Sequence, residues 1–148
     1  IRPALARLEK VYPTWDEFID EMQRLPYYDG WWDPGIEEYF RADVTRHVDG
    51  RCRPRSHPRH MEMAVEGTLE IDWPATVARI TCPTLLVRCT DAFGPAGFPP
   101  LLPADAARRT VDLLTDGQLV EAPGNHMTAF FGESAGTLAQ HMIDFLDD

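Results

Sequence analysis

The sequence predicts an α/β chain in which parallel strands carry flanking helices, preceded by an N-terminal helical region. Three observations lead there. Up to residue 72, apolar residues recur at helical spacing. From residue 73 to 148, two short β-prone runs appear, Thr84 to Val87 and Gln118 to Ala122. Each run is followed by an amphipathic helical pattern, and strand, helix, strand, helix is the order of a parallel arrangement.

The elements follow in order. Residues 3 to 12, with Pro3, Leu5, Leu8 and Tyr12, read as a short first helix. Thr14 and Glu17 form a capping box ahead of Trp15, Phe18, Ile19, Met22 and Leu25, one apolar stripe that Pro26 ends. An aromatic stretch follows, Tyr27-Tyr28-Asp29-Gly30-Trp31-Trp32. Its rigid rings serve either to anchor the loop by packing or to line a pocket for an apolar ligand. Asp33 and Pro34 supply an N-cap and a first-turn proline for a helix through Ile36, Tyr39, Phe40 and Val44 toward Gly50. Arg41 to His60 holds six Arg against two Asp and is broken by Gly50, Pro54 and Pro58, so it reads as a solvated basic loop. Farther on, Cys82-Pro83 sets up the first strand, and Asp91 to Pro100 is rich in breakers. Pro103 to Thr115 places Ala104, Ala107, Val111 and Leu114 on one face, with Gly117 as its C-cap. The second strand closes on Pro123-Gly124-Asn125-His126, and a last helix opens at Ser134 with Leu138, Met142, Phe145 and Leu146 facing inward.

Charge and cysteine usage narrow the function. The net charge of −10 is shared evenly between the two halves and offers no basic face to nucleic acid. No leader or apolar run of membrane-spanning length is visible, so a membrane partner is not expected. Cys52, Cys82 and Cys89 are odd in number and lack C-x-x-C spacing, which suits a reducing cytoplasm better than a disulfide framework or a zinc site. His47, His57 and His60 have no helical spacing and no acidic companions, so no metal is expected. A chain beginning at Ile1 with only two strands is expected to be part of a larger fold, because a parallel pair leaves open edges.

Gly132-Glu133-Ser134-Ala135-Gly136 matches G-x-S-x-G, the turn that presents a nucleophilic serine between a strand and a helix. The residues after Ser134 form a single helix and leave no strands for the acid and the histidine that must follow. Ser134 therefore reads as a helix N-cap. The better candidate is His126, which directly follows the last strand at the carboxyl end where α/β folds carry their functional groups. Asp91 lies just past the end of the other strand. Neighbouring parallel strands would bring the two loops together, and a carboxylate there would orient an imidazole for proton transfer. Capping of the turn before Gly94-Pro95 is the other role open to Asp91.

Ile80-Thr81-Cys82-Pro83-Thr84-Leu85-Leu86-Val87-Arg88 resembles the penultimate strand of the α/β-hydrolase family. Leu119-Val120-Glu121-Ala122-Pro123-Gly124-Asn125-His126 resembles its last strand and histidine loop. Residues 73–148 thus look like the C-terminal part of that core, and residues 1–72 like the helical cap or lid inserted before it. The family usually has a glycine three residues before the acid, whereas Arg88 stands there here. The resemblance implies a partial α/β-hydrolase fold and hydrolysis of an ester or similar bond in a small, partly apolar substrate. In it His126 is the general base, Asp91 the orienting acid, and Trp31 and Trp32 the substrate contacts. It implies no cofactor, and it implies a partner: the N-terminal half of the core with its nucleophile, in the same or a separate chain. On its own the 148-residue chain is expected to be inactive. The alternative is a non-catalytic module that binds a ligand or protein partner on the same architecture.

Overall fold

The computed structural model describes residues 6–95 and 97–147. The chain divides into two compact units. One holds the residues up to Arg24 together with Pro34–Ile71, and the other holds Leu25–Asp33 together with the chain from Asp72 onward.

In the first unit, helix α1 spans Trp15–Gln23 and begins as the capping box predicts, with the Thr14 hydroxyl accepting from the Glu17 N–H at 3.2 Å. Its apolar stripe buries Phe18, Ile19 and Met22. Helix α2, Pro34–Asp43, buries Ile36 and Phe40, and Phe18 meets Phe40 edge to face with ring centroids 5.5 Å apart. Two expectations are corrected here. The predicted first helix is helical only at residues 6–8 within the described chain, its Pro3 and Leu5 lying outside the described residues. Tyr12 instead pairs with Cys52 through two backbone hydrogen bonds of 2.8 and 3.0 Å. The basic segment is not a plain loop. Helix α2 stops at Asp43, where the β-branched Val44 and Thr45 favour extended backbone. Strands β1 (Val44–Arg46) and β2 (Cys52–Pro54) then form an antiparallel hairpin. Gly50, at φ +88°, turns it. Pro58, read as a breaker, is the first residue of helix α3, Pro58–Leu69, with the His57 ring accepting from the Arg59 N–H at 3.3 Å. Helix α3 has no fully buried residue.

The second unit opens with the 3-10 turn Pro26–Tyr28 and the rest of the aromatic stretch. It resumes with the short helix α4, Trp73–Val77, capped by Asp72. Strands β3 (Thr84–Cys89) and β4 (Gly117–Ala122) pair in parallel from Thr84↔Gly117 to Cys89↔Ala122. Helices α5 (Ala104–Asp112) and α6 (Gly132–Asp147) both pack on the pair. Gly117 is no helix cap, since Leu113 ends α5 and Gly117 opens β4. It is glycine because a Cβ there would lie 2.8 Å from Leu114 Cδ1. The serine expectation also shifts by a turn. Helix α6 begins at Gly132, so Ser134 sits inside the first turn rather than at the cap. Its hydroxyl is buried and has no hydrogen-bond partner among the described residues.

Candidate functional site

The parallel register dictates where the candidate residues emerge. Because Cys89 lies beside Ala122, the segments leaving β3 and β4 start at one end of the sheet and continue side by side. Thr90 N–H donates to the Ala122 carbonyl at 3.1 Å, and Asp91 N–H donates to the Gly124 carbonyl at 2.9 Å. Asp91 is half-buried, and its carboxylate accepts from the Thr90 hydroxyl at 3.2 Å. His126 is exposed to solvent. Its ring stands edge-on to Phe93, 6.0 Å between centroids at 81°. Among the described residues no hydrogen bond or ion pair joins Asp91 to His126.

Asn125 organises the histidine loop. It is 2% exposed, and its Oδ1 accepts from Met127 N–H at 2.9 Å while its Nδ2 donates to the Tyr27 carbonyl at 2.7 Å. Its own N–H donates to the Thr128 hydroxyl at 2.9 Å. The aromatic stretch is thereby tied to the histidine loop within the same unit. Tyr27 stacks on Phe93 at 5.6 Å and 14°. Ring contacts then run from Tyr27 to Tyr28 at 4.8 Å and from Tyr28 to Trp32 at 5.4 Å. The sequence reading assigns Asn125 and Phe93 no role of their own and offers Tyr27 only as one ring of the aromatic stretch. Asn125 stands in the Pro-Gly-Asn-His stretch next to the chosen histidine, and Phe93 two residues past the chosen aspartate.

Beside these loops lies an open cavity of about 360 Å³, lined by Pro26, Asp29, Trp31, Asp91, Ala92, Gly94 and Asn125. Two of the four sequence-chosen residues, Asp91 and Trp31, thus share one cavity. His126 adjoins it through Asn125 without forming its wall, and Trp32 is turned onto Tyr28. A solvent-facing imidazole beside a carboxylate-bearing loop can accept and return a proton. Neither nearby nucleophile type is suited to attack. Burial, then the neighbouring Asp91, pushes the Cys89 thiol up, which keeps it protonated. Ser134 is wholly buried. No group of three His, Cys, Asp or Glu placed to hold a metal occurs among the described residues. No helix there is long and apolar enough to cross a membrane.

No protein-family model and no curated protein matches the chain. Among solved structures it is similar to E-2-(acetamidomethylene)succinate hydrolase, with a TM-score of 0.72 and 21% identity. The likeness covers 100% of this chain and 53% of that one, so the chain spans about half the length of the structure it matches. The fold is a partial α/β-hydrolase fold: parallel strands with flanking helices, preceded by a mainly helical N-terminal region.

Proposed function

We propose that the chain is the cap and C-terminal portion of an α/β-hydrolase-type enzyme that cleaves an ester or similar bond in a small, partly apolar substrate. His126 serves as general base toward a nucleophile or water and then as general acid toward the leaving group. Asp91 orients the imidazole and stabilises its cation, and Trp31 and Trp32 set the apolar side of the substrate site. The nucleophile and the oxyanion donors belong to the N-terminal half of such a core, in the same polypeptide or a separate one. No cofactor takes part. A reducing cytoplasm suits its three unpaired cysteines.

The observation that carries this reading is the parallel β3–β4 register with the Asp91 N–H to Gly124 carbonyl bond, which brings the acid and histidine loops together. A non-catalytic binding module is the second reading. It is favoured by the lack of an Asp91–His126 hydrogen bond among the described residues, although catalytic hydrogen bonds commonly tighten only with substrate bound.

The test is hydrolysis of short p-nitrophenyl esters by the 148-residue chain, alone and supplied with the N-terminal half of a hydrolase core. Alone, turnover stays at background. With the half-core, turnover appears, and His126→Ala lowers it by roughly 10²- to 10⁴-fold, the span of general-base contributions. Turnover insensitive to His126→Ala overturns the assignment. Turnover by the isolated chain that Ser134→Ala abolishes would instead restore the serine motif.

A further inference from the structure

The cavity beside Asp91 holds a carboxylate, Asp29, to which the hydrolase reading gives no role. Among the described residues its walls carry two carboxylates, Asp29 and Asp91, one indole, Trp31, and no lysine or arginine. Among the described residues no hydrogen bond or ion pair engages the Asp29 side chain, and Asp91 receives only the uncharged Thr90 hydroxyl. The Trp31 ring has no ring or cation partner among the described residues, and the residue's main-chain N–H donates to the Tyr28 carbonyl at 2.9 Å. Trp15, by contrast, is covered by the guanidinium groups of Arg41 and Arg46 at 4.8 and 4.4 Å. The stretch leading to Trp31 is tied down at Tyr27, whose carbonyl accepts from Asn125 and whose ring stacks on Phe93.

An aromatic face with two uncompensated carboxylates around a small cavity is the arrangement that recognises a quaternary or protonated amine. We propose that this cavity binds the cationic, ammonium-bearing end of the substrate, and that the enzyme discriminates against carboxylate substrates. The proposal rests on the reading of the cavity as the place where substrate meets the His126 loop. Asp91 is committed to the imidazole during proton transfer, so Asp29 and Trp31 carry the recognition. A succinate, the substrate class in the name of the similar hydrolase, brings negative charge to two carboxylates and is disfavoured here by like-charge repulsion.

The experiment is a titration followed by NMR at the Trp31 indole N–H and the Gly94 amide with three probes of one shape: choline, 3,3-dimethylbutan-1-ol and 3,3-dimethylbutanoate. Choline should bind at least tenfold more tightly than the carboxylate and more tightly than the neutral alcohol. Asp29→Asn should erase the gap between choline and the alcohol, and Trp31→Leu, read at Gly94, should weaken choline several-fold. Equal binding of choline and the alcohol, stronger binding of the carboxylate, an unchanged preference in Asp29→Asn, or no saturable shift with any probe overturns the proposal. Ester turnover without ammonium preference sinks this proposal alone. Ammonium preference without His126-dependent turnover sinks the hydrolase reading and leaves this one standing.

Discussion

At the scale of single residues, the histidine loop depends on the close approach of the Gly124 backbone to the Ser134 and Thr128 hydroxyls. Gly124 has φ +85°, and a Cβ added to it would lie 2.7 Å from Ser134 Oγ and 2.8 Å from Thr128 Oγ1. Gly124→Ala combines left-handed backbone with a clash and should cost about 2 kcal/mol or more, read from the urea midpoint. Ser134→Ala removes a buried hydroxyl that has no partner among the described residues, so alone it should be neutral or stabilising. In the Gly124→Ala background it should recover part of the loss, a coupling that a double-mutant cycle measures. The G-x-S-x-G serine thus has a packing role: it closes the gap under the loop that carries His126. Glu21 offers a pH test in the first unit. Burial raises its carboxyl, but hydrogen bonds from Lys10 and Tyr12 outweigh this and hold it below its ordinary 4.5. Its stabilisation is therefore fully present above that value and is lost as pH falls through the lower folded value. Glu21→Gln should flatten the stability profile in that acid range, and an unchanged profile would mean that the Lys10–Glu21–Tyr12 contacts do not persist in solution.

At the scale of elements, what the sequence made legible were features set by local chemistry. The Thr14 cap, the α1 stripe, the two parallel strands and the closing helix all come from short-range signals, and each is found within a few residues of its predicted place. The hairpin was hidden because its strands are three residues each, carry Arg46 and Arg53, and end in Pro54. Its pairing partner Tyr12 lies forty residues from Cys52, beyond the reach of periodicity. Asp91 and His126 could be chosen from strand ends, whereas Asn125 gains its meaning from the carbonyl of Tyr27, almost a hundred residues away. Another tie of this kind is Arg88, buried on β3 opposite Glu121 of β4. It donates to Glu121 at 2.7 Å and to the Leu102 carbonyl at 2.9 Å, fixing the segment that leads into α5. Glu121 is 55% exposed, so Glu121→Gln should cost only about 1 kcal/mol. Arg88→Ala also leaves the part-buried Leu102 carbonyl without its donor and empties packing space, and should cost about 3 kcal/mol. Equal losses in thermal unfolding would mean that the ion pair alone matters.

At the scale of the whole molecule, the decisive feature is a sheet of two parallel strands with apolar surface left uncovered. A groove of about 470 Å³ beside β3 is lined by Leu85, Val87, Phe130, Leu138, Met142, Phe145 and Leu146. Of these, Phe130 is 72% and Leu146 77% exposed. Parallel sheets are ordinarily covered on both faces, and an apolar patch of this kind beside an open strand edge is a site for further chain. The occupant consistent with the proposed function is the N-terminal half of the hydrolase core, because the similar hydrolase is about twice as long as this chain. The consequence can be measured without knowing any substrate. The isolated chain should bind an apolar dye such as ANS and self-associate as its concentration rises, despite a net charge of −10 that opposes association. Met142→Glu together with Leu146→Glu should reduce both effects at little cost in stability, since both side chains are already exposed. Supplying the half-core should quench the dye signal of the unsubstituted chain and fail to do so for the double variant. If the chain stays monomeric and dye-free, and the glutamates change nothing, the groove is closed in solution and the two-stranded sheet is sufficient by itself.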